Sequence, residues 1–174
     1  QDDVPDGGVP TVGLDGSVQK ADTSAFYGSD DDFEEAKSDT FTIKFEQDVS
    51  DNTIFKNTAR YAKTSQEMLL TSPFNFSTTA NTVTRSMHAR WQENEILTNQ
   101  SNFTTEIQTG MLLHKISTGI ELTKENQLTK NYTAQTAQTS NLYNPTNISW
   151  DDLTFSGQKS DGETTTVGAY LFDS

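Results

Sequence analysis

The chain has 174 residues, a formal net charge of −13, 32% hydrophobic and 21% charged residues, and no cysteine. That length supports one ordinary domain without metals or disulfides, and the lack of cysteine excludes a disulfide scaffold, a thiolate metal site and a cysteine nucleophile. No apolar run reaches the roughly 18 residues of a helical membrane span, so no insertion in a bilayer is expected.

The polar share has gone to uncharged side chains: 27 Thr, 16 Ser, 12 Asn and 11 Gln. Threonine is β-branched and suits a half-exposed pleated surface better than a helix. Surfaces of this kind point outside the cytoplasm, to exported filaments, virion parts and lectin-like modules. Gln1 in place of Met points to a processed chain.

Residues 1–39 hold eleven acids and two lysines, a net of −9, and read as an acidic extended arm. Glycines and prolines oppose a helix there. Val9, Val12, Leu14 and Val18 suit one strand, which would add to the edge of a neighbouring subunit's sheet; a loose tail is the plainer alternative. Asp30, Asp31, Asp32, Glu34 and Glu35 pack five carboxylates into six positions, a donor set for Ca²⁺. They lack the spacing of an EF-hand loop, and a solvated acidic segment is the plainer explanation.

Residues 40–174 read as a single β-rich domain. Residues 40–45 alternate, with Phe41, Ile43 and Phe45 on one face, and predict a strand. Turn residues fill 48–57, and 58–70 contain good helix formers closed by Pro73, predicting a short helix. Between 103 and 133 strands are preferred, with a hairpin loop at 124–127 and turn signals at Gly110 and Gly119. Helical stripes (Met87, Trp91 and Ile96; Leu113, Ile116 and Ile120) keep helices within 83–142 as an alternative. Residues 148–155 and 164–172 predict two strands joined by a loop at 157–162. The fold expected is all-β, a sandwich or jelly-roll with one or two short helices; the alternative is α+β.

Catalytic signals are missing. The two histidines, His88 and His114, lie in no ligand spacing, there is no Gly-x-Ser-x-Gly element and no phosphate-binding glycine loop. No basic patch offers itself to nucleic acid. Sequons occur at Asn75, Asn102, Asn131 and Asn147, about as many as this Ser/Thr content produces by chance. Trp150, followed by Asp151 and Asp152, is the aromatic best placed to stack on a sugar, although most aromatics are core.

The chain therefore reads as a non-enzymatic structural subunit of an extracellular, cell-surface or virion assembly, such as a filament, capsid or tail component. Its partners would be copies of itself or other structural subunits. The alternative is a secreted carbohydrate-binding or calcium-dependent β-sandwich module with a glycan partner and no cofactor beyond Ca²⁺.

Overall fold

Alternation of side chains runs through this sequence for far longer than a soluble strand requires. In the computed structural model, which describes residues 7–11, 13 and 19–174, it builds six strands: β1 (Phe33–Ser50), β2 (Thr53–Ser77), β3 (Thr82–Thr109), β4 (Leu112–Tyr132), β5 (Gln138–Asn141) and β6 (Phe155–Asp173). They form one sheet in the order β1-β2-β3-β4-β6, with the short β5 pairing antiparallel to residues 82–85 of β3. Five of the strands have 18 to 28 residues, against a usual 5–6.

The partners across each strand pair run in opposite directions, so the ladder is antiparallel throughout. Glu46 meets Lys56 while Glu34 meets Gln66; Thr53 meets Thr105 while Lys63 meets Glu95. Lys115 meets Glu106 while Ser117 meets Asn102. Lys115 exchanges backbone bonds with Ser174, whereas Thr133 donates to Thr154. Strands β1 and β2, and again β3 and β4, join through two-residue turns at 51–52 and 110–111. Gly110 has φ +63°, which glycine adopts without steric cost.

The chain divides into two compact units. One comprises residues 1–36, 66–92 and 129–159. Its core is small: Ala21, Tyr27, Val83 and Leu142 are buried together, with Val9, Ala25 and Tyr143 packed against them. The other comprises residues 37–65, 93–128 and 160–174. There the large apolar side chains stand in the open, with Phe41 64% and Leu171 71% exposed.

All-β is the class found, and several finer expectations are corrected. A single sheet of six strands replaces the sandwich or jelly-roll, and the described residues contain no helix. The segment 58–70 lies inside β2, where pairing of Tyr61 and Lys63 with Glu95 overrides helix-forming residues. The helical alternative within 83–142 is replaced by β3, β4 and β5. The expected loops at 124–127 and 157–162 are strand, while 148–154 precede β6 rather than belong to it. Polar residues in these places fall on both faces of a continuing strand and do not mark its end. β1 begins at Phe33, within the stretch taken for an arm. Of the arm's four apolar residues, Val9 joins the small core, and Val12, Leu14 and Val18 lie outside the described residues.

Gly119, inside β4, is required by a close approach. A Cβ there would lie 2.4 Å from the Tyr170 hydroxyl oxygen and 2.7 Å from the Ser101 carbonyl oxygen, whereas one at Gly162 meets nothing within 4 Å. Gly119→Ala is expected to destabilise the protein by about 1–3 kcal/mol and Gly162→Ala to leave it within about 0.5 kcal/mol, as read by urea unfolding.

Candidate functional site

In the unit of residues 1–36, 66–92 and 129–159, charged and polar groups close a buried knot. Asp32 is 4% exposed. Its carboxylate accepts hydrogen bonds from the Ser29 amide (3.1 Å), the Thr71 amide (3.0 Å) and the Thr71 hydroxyl (2.7 Å). The Trp150 indole Nε1 donates to Thr71 Oγ1 at 2.8 Å. Arg85 is fully buried; its Nη1 donates to the Gly28 carbonyl at 3.3 Å and its Nη2 to the Thr146 carbonyl at 2.7 Å, while Nε has no partner. Burial pushes the Arg85 pKa down, and the nearby Asp32 charge opposes that shift; a guanidinium remains protonated even so.

The same knot ties two irregular segments together. Asp31 accepts the Trp150 amide at 2.9 Å, and Asp30 accepts the Asn147 side chain. The Ser29 hydroxyl donates to the Ile148 carbonyl at 2.8 Å, and the Tyr27 hydroxyl donates to the Leu142 carbonyl. Asp30, Asp31 and Asp32 thus serve as acceptors for neighbouring chain, and Glu34 accepts from Gln66; Glu35 follows in β1. Among the described residues no group of three or more His, Cys, Asp or Glu side chains is placed to hold a metal ion.

The remaining candidates fall in separate places. The Trp150 ring is 9% exposed, packed inward with its N–H on Thr71. Asn75 sits in β2 at φ 45°, Asn102 in β3 bonded to Ser117 and Tyr170, Asn131 in β4, and Asn147 in the connection before β6. His88 pairs with Ser86, and His114 lies 3.0 Å from Asp173. A cavity of about 520 Å³ opens between residues 133–138 and 149–154. Its amides are engaged across the gap, Gln135 with both backbone groups of Asp151 and Gln138 with the Ser149 carbonyl.

The unit of residues 37–65, 93–128 and 160–174 carries the feature that the sequence reading missed. Phe41, Ile43, Phe45 and Val49 of β1, Leu97, Phe103 and Ile107 of β3, Leu112, Ile120 and Leu122 of β4, and Val167 and Leu171 of β6 are all exposed. Even spacing puts each set on one face of its strand, and the Phe45 and Phe55 rings, 6.3 Å apart, carry that face onto β2. The opposite parity carries polar pairs, Glu46 with Lys56, Glu106 with Lys115, and Asn102 with Ser117 and Tyr170, together with the exposed Leu113 and Phe172. Charged pairs bound the apolar face, Lys63 with Glu93 (2.8 Å) and Glu95 (3.2 Å), and Lys124 with Glu163 (2.9 Å). The signal was present in the repeated parity of 41, 43 and 45 and of 103 and 107. It was read as the inside of a sandwich.

No protein-family model matches the chain. Over 99% of its length it is 34% identical to the catecholate siderophore receptor Fiu of Escherichia coli K12, of which it covers 26%. It is 31% identical over 134 residues, 71% of the chain, to the probable TonB-dependent siderophore receptor PiuA of Acinetobacter baumannii, of which it covers 18%. The crystal structure of the ferric-catecholate import receptor Fiu from E. coli K12 in its closed form superposes with a TM-score of 0.85 at 34% identity, over 98% of this chain and 27% of that one. The open form gives the same TM-score at 35% identity. The chain spans about a quarter of the length of these relatives.

These matches overturn the reading as a filament, capsid or tail subunit, and the secreted calcium- or carbohydrate-binding module with it. The similar proteins are receptors, which leaves the chain without an enzymatic role. Copies of itself as partners, and an extracellular, cell-surface or virion location, are overturned with it, since the similar proteins are siderophore receptors. The expected lack of membrane insertion fails for a physical reason. It rested on helical length, and among the described residues no helix is long and apolar enough to cross, but β-strands cross with about 9–11 alternating residues.

The knot makes two predictions. Arg85→Met leaves the Gly28 and Thr146 carbonyls without their donor and is expected to cost about 1–3 kcal/mol for each, whereas Trp150→Phe, losing one neutral hydrogen bond, costs about 1 kcal/mol; thermal unfolding checks both. Burial also raises the Tyr27 pKa above that of the unfolded chain. The folded state therefore keeps its proton longer, and this contribution is complete below about pH 10 and lost as pH rises further. Hydrogen exchange around Leu142 is expected to quicken above that pH, and Tyr27→Phe to abolish the alkaline step.

Proposed function

We propose that this chain is a stretch of the barrel wall of a TonB-dependent outer-membrane receptor that imports ferric catecholate siderophores. The observation that carries the membrane part is the height of the exposed apolar face. Leu97 to Ile107 spans ten residue steps, and the matching face of β4 carries Leu112, Ile120 and Leu122, with His114 paired to Asp173 near its turn end. At about 3.4 Å per residue and a tilt of about 40°, the ten steps rise roughly 26 Å, against an apolar band of about 25 Å in outer-membrane barrels. Polar residues of the same parity are satisfied among themselves: Asn57 bonds both Asn99 and Ser101, as side chains in hydrocarbon must. The opposite parity, with Glu46–Lys56 and Glu106–Lys115, suits a water-filled lumen.

Connection lengths support the orientation. Barrels of this kind have short periplasmic turns and long exterior loops. The two-residue turns at 51–52 and 110–111 belong to the first sort, and the connection 133–154 belongs to the second. The siderophore part of the reading rests on the relatives, named for catecholate and ferric-catecholate uptake.

Two measurements test it. Phe103→Lys puts a charge near the middle of the apolar face and is expected to cost about 2–4 kcal/mol of folding stability in bilayers. Thr42→Lys, of the opposite parity, is expected to be near neutral. In cells, the whole receptor is expected to take up a ferric catecholate only when TonB is present. TonB-dependent uptake of other iron chelates, but not of catecholates, would leave the barrel standing and refute the substrate.

A further inference from the structure

We propose that the connection 133–154 is a fixed rim of the receptor, pinned as one piece by the knot around Arg85, and does not lift as a lid when substrate passes. The inference rests on the receptor reading and gives this connection its part in transport. Segments that open for a ligand come from the least stable parts of a protein, with exposed backbone and few buried side chains. Residues 133–154 have the opposite character.

Beyond the four residues of β5 the backbone follows no regular pattern, yet its amides have acceptors. Leu142 donates to the Asn81 carbonyl at 2.9 Å, Tyr143 and Asn144 to the Asn141 side chain, and Thr146 to the Ser140 hydroxyl. Trp150 donates to Asp31 and Asp151 to Gln135. Irregular backbone satisfied internally in this way gives up those bonds when it moves.

Three attachments hold the connection. β5 pairs with residues 82–85 of β3. The carbonyls of Leu142, Thr146 and Ile148 are taken by Tyr27, Arg85 and Ser29 in turn. The two limbs are cross-braced as well. Thr133 and Thr154 share a backbone bond and a hydroxyl bond, Gln135 engages both backbone groups of Asp151, and Gln138 donates to the Ser149 carbonyl. These glutamine amides stand in for peptide groups and continue the β4–β6 pairing past the strand ends.

Lifting would undo these contacts together. Leu142 is fully buried and Trp150 nearly so, and both would come out into water. Arg85 would lose the Thr146 carbonyl while its Nε already lacks a partner.

A covalent lock tests the idea in the whole receptor. Thr84 and Thr139 are directly paired between β3 and β5, and antiparallel partners lie about 4.5–5.5 Å apart at Cα, within disulfide range. The chain has no cysteine of its own. In the Thr84→Cys, Thr139→Cys receptor the disulfide is expected to form, and uptake of a ferric catecholate to stay within twofold of that after reduction. Uptake that falls tenfold or more and returns with dithiothreitol overturns the fixed rim, as does a pair that fails to oxidise. An unsubstituted receptor without TonB-dependent uptake refutes the receptor reading alone, because hydrogen exchange judges the pinning without substrate. Amides of Leu142, Thr146 and Trp150 are expected to exchange within tenfold of those in β3, with or without a ferric catecholate. Free-chain rates, or a tenfold change on adding the chelate, overturn the proposal. Asp31→Ala, at an exposed residue, is expected to speed exchange at Thr146 as well as at Trp150 by threefold or more; an effect confined to Trp150 overturns pinning as one piece.

Discussion

On the barrel reading proposed above, a backbone in hydrocarbon has no water to bond to, and that one constraint organises the chain. Each N–H and C=O must find a partner in a neighbouring strand, so the strands are long, antiparallel and in continuous register. Glu46–Lys56, Thr53–Thr105, Lys115–Glu106 and Lys124–Glu163 mark that register from pair to pair. The two-residue turns follow from it, since strands that must neighbour each other are joined most economically by the shortest connection.

The same constraint inverts the usual arrangement of residues. A soluble domain would turn Phe41, Ile43, Phe45 and Leu171 inward, but here they face out, and polar side chains line the other face. Hence a chain with a third of its residues hydrophobic buries few of them, and its Thr, Asn and Gln serve a wet lumen and exterior. The unit that does have an interior is held differently. Around Arg85 and Asp32 the buried groups are charged and hydrogen-bonded, and Tyr27, Val83 and Leu142 supply only a small apolar patch. Such a knot contributes geometry more than net stability, because desolvation of Arg85 and Asp32 offsets much of their attraction.

Strand content was legible in the sequence where alternation was clean, as at 40–45, and in threonine's preference for pleated surfaces. Strand length was not. Within β4, 124–127 carry Lys, Glu, Asn and Gln, and within β6 a Gly-Gln-Lys-Ser-Asp-Gly run occupies 157–162. Both look like turns, yet each continues as strand with polar side chains on both faces, because pairing with the neighbouring strand persists through them. The segment 58–70 was mistaken for a helix because its Ala, Lys, Gln and Met carry helical preference, which pairing with β3 overrides. The face of the strands was seen, but whether it met a second sheet or lipid depends on neighbours that alternation does not encode. Asp30, Asp31 and Asp32 were visible as a cluster; their acceptor roles depend on Thr71, Asn147 and Trp150, far away in sequence.

The reading as a self-assembling subunit rested on an incomplete sheet that a neighbour would complete, and the incompleteness is real. Its location differs. It was assigned to an N-terminal arm, where four valine and leucine residues suggested a donated strand, whereas the sheet ends at β1 and β6. On the barrel reading, an open sheet of this kind and similarity to about a quarter of a much longer receptor agree with each other.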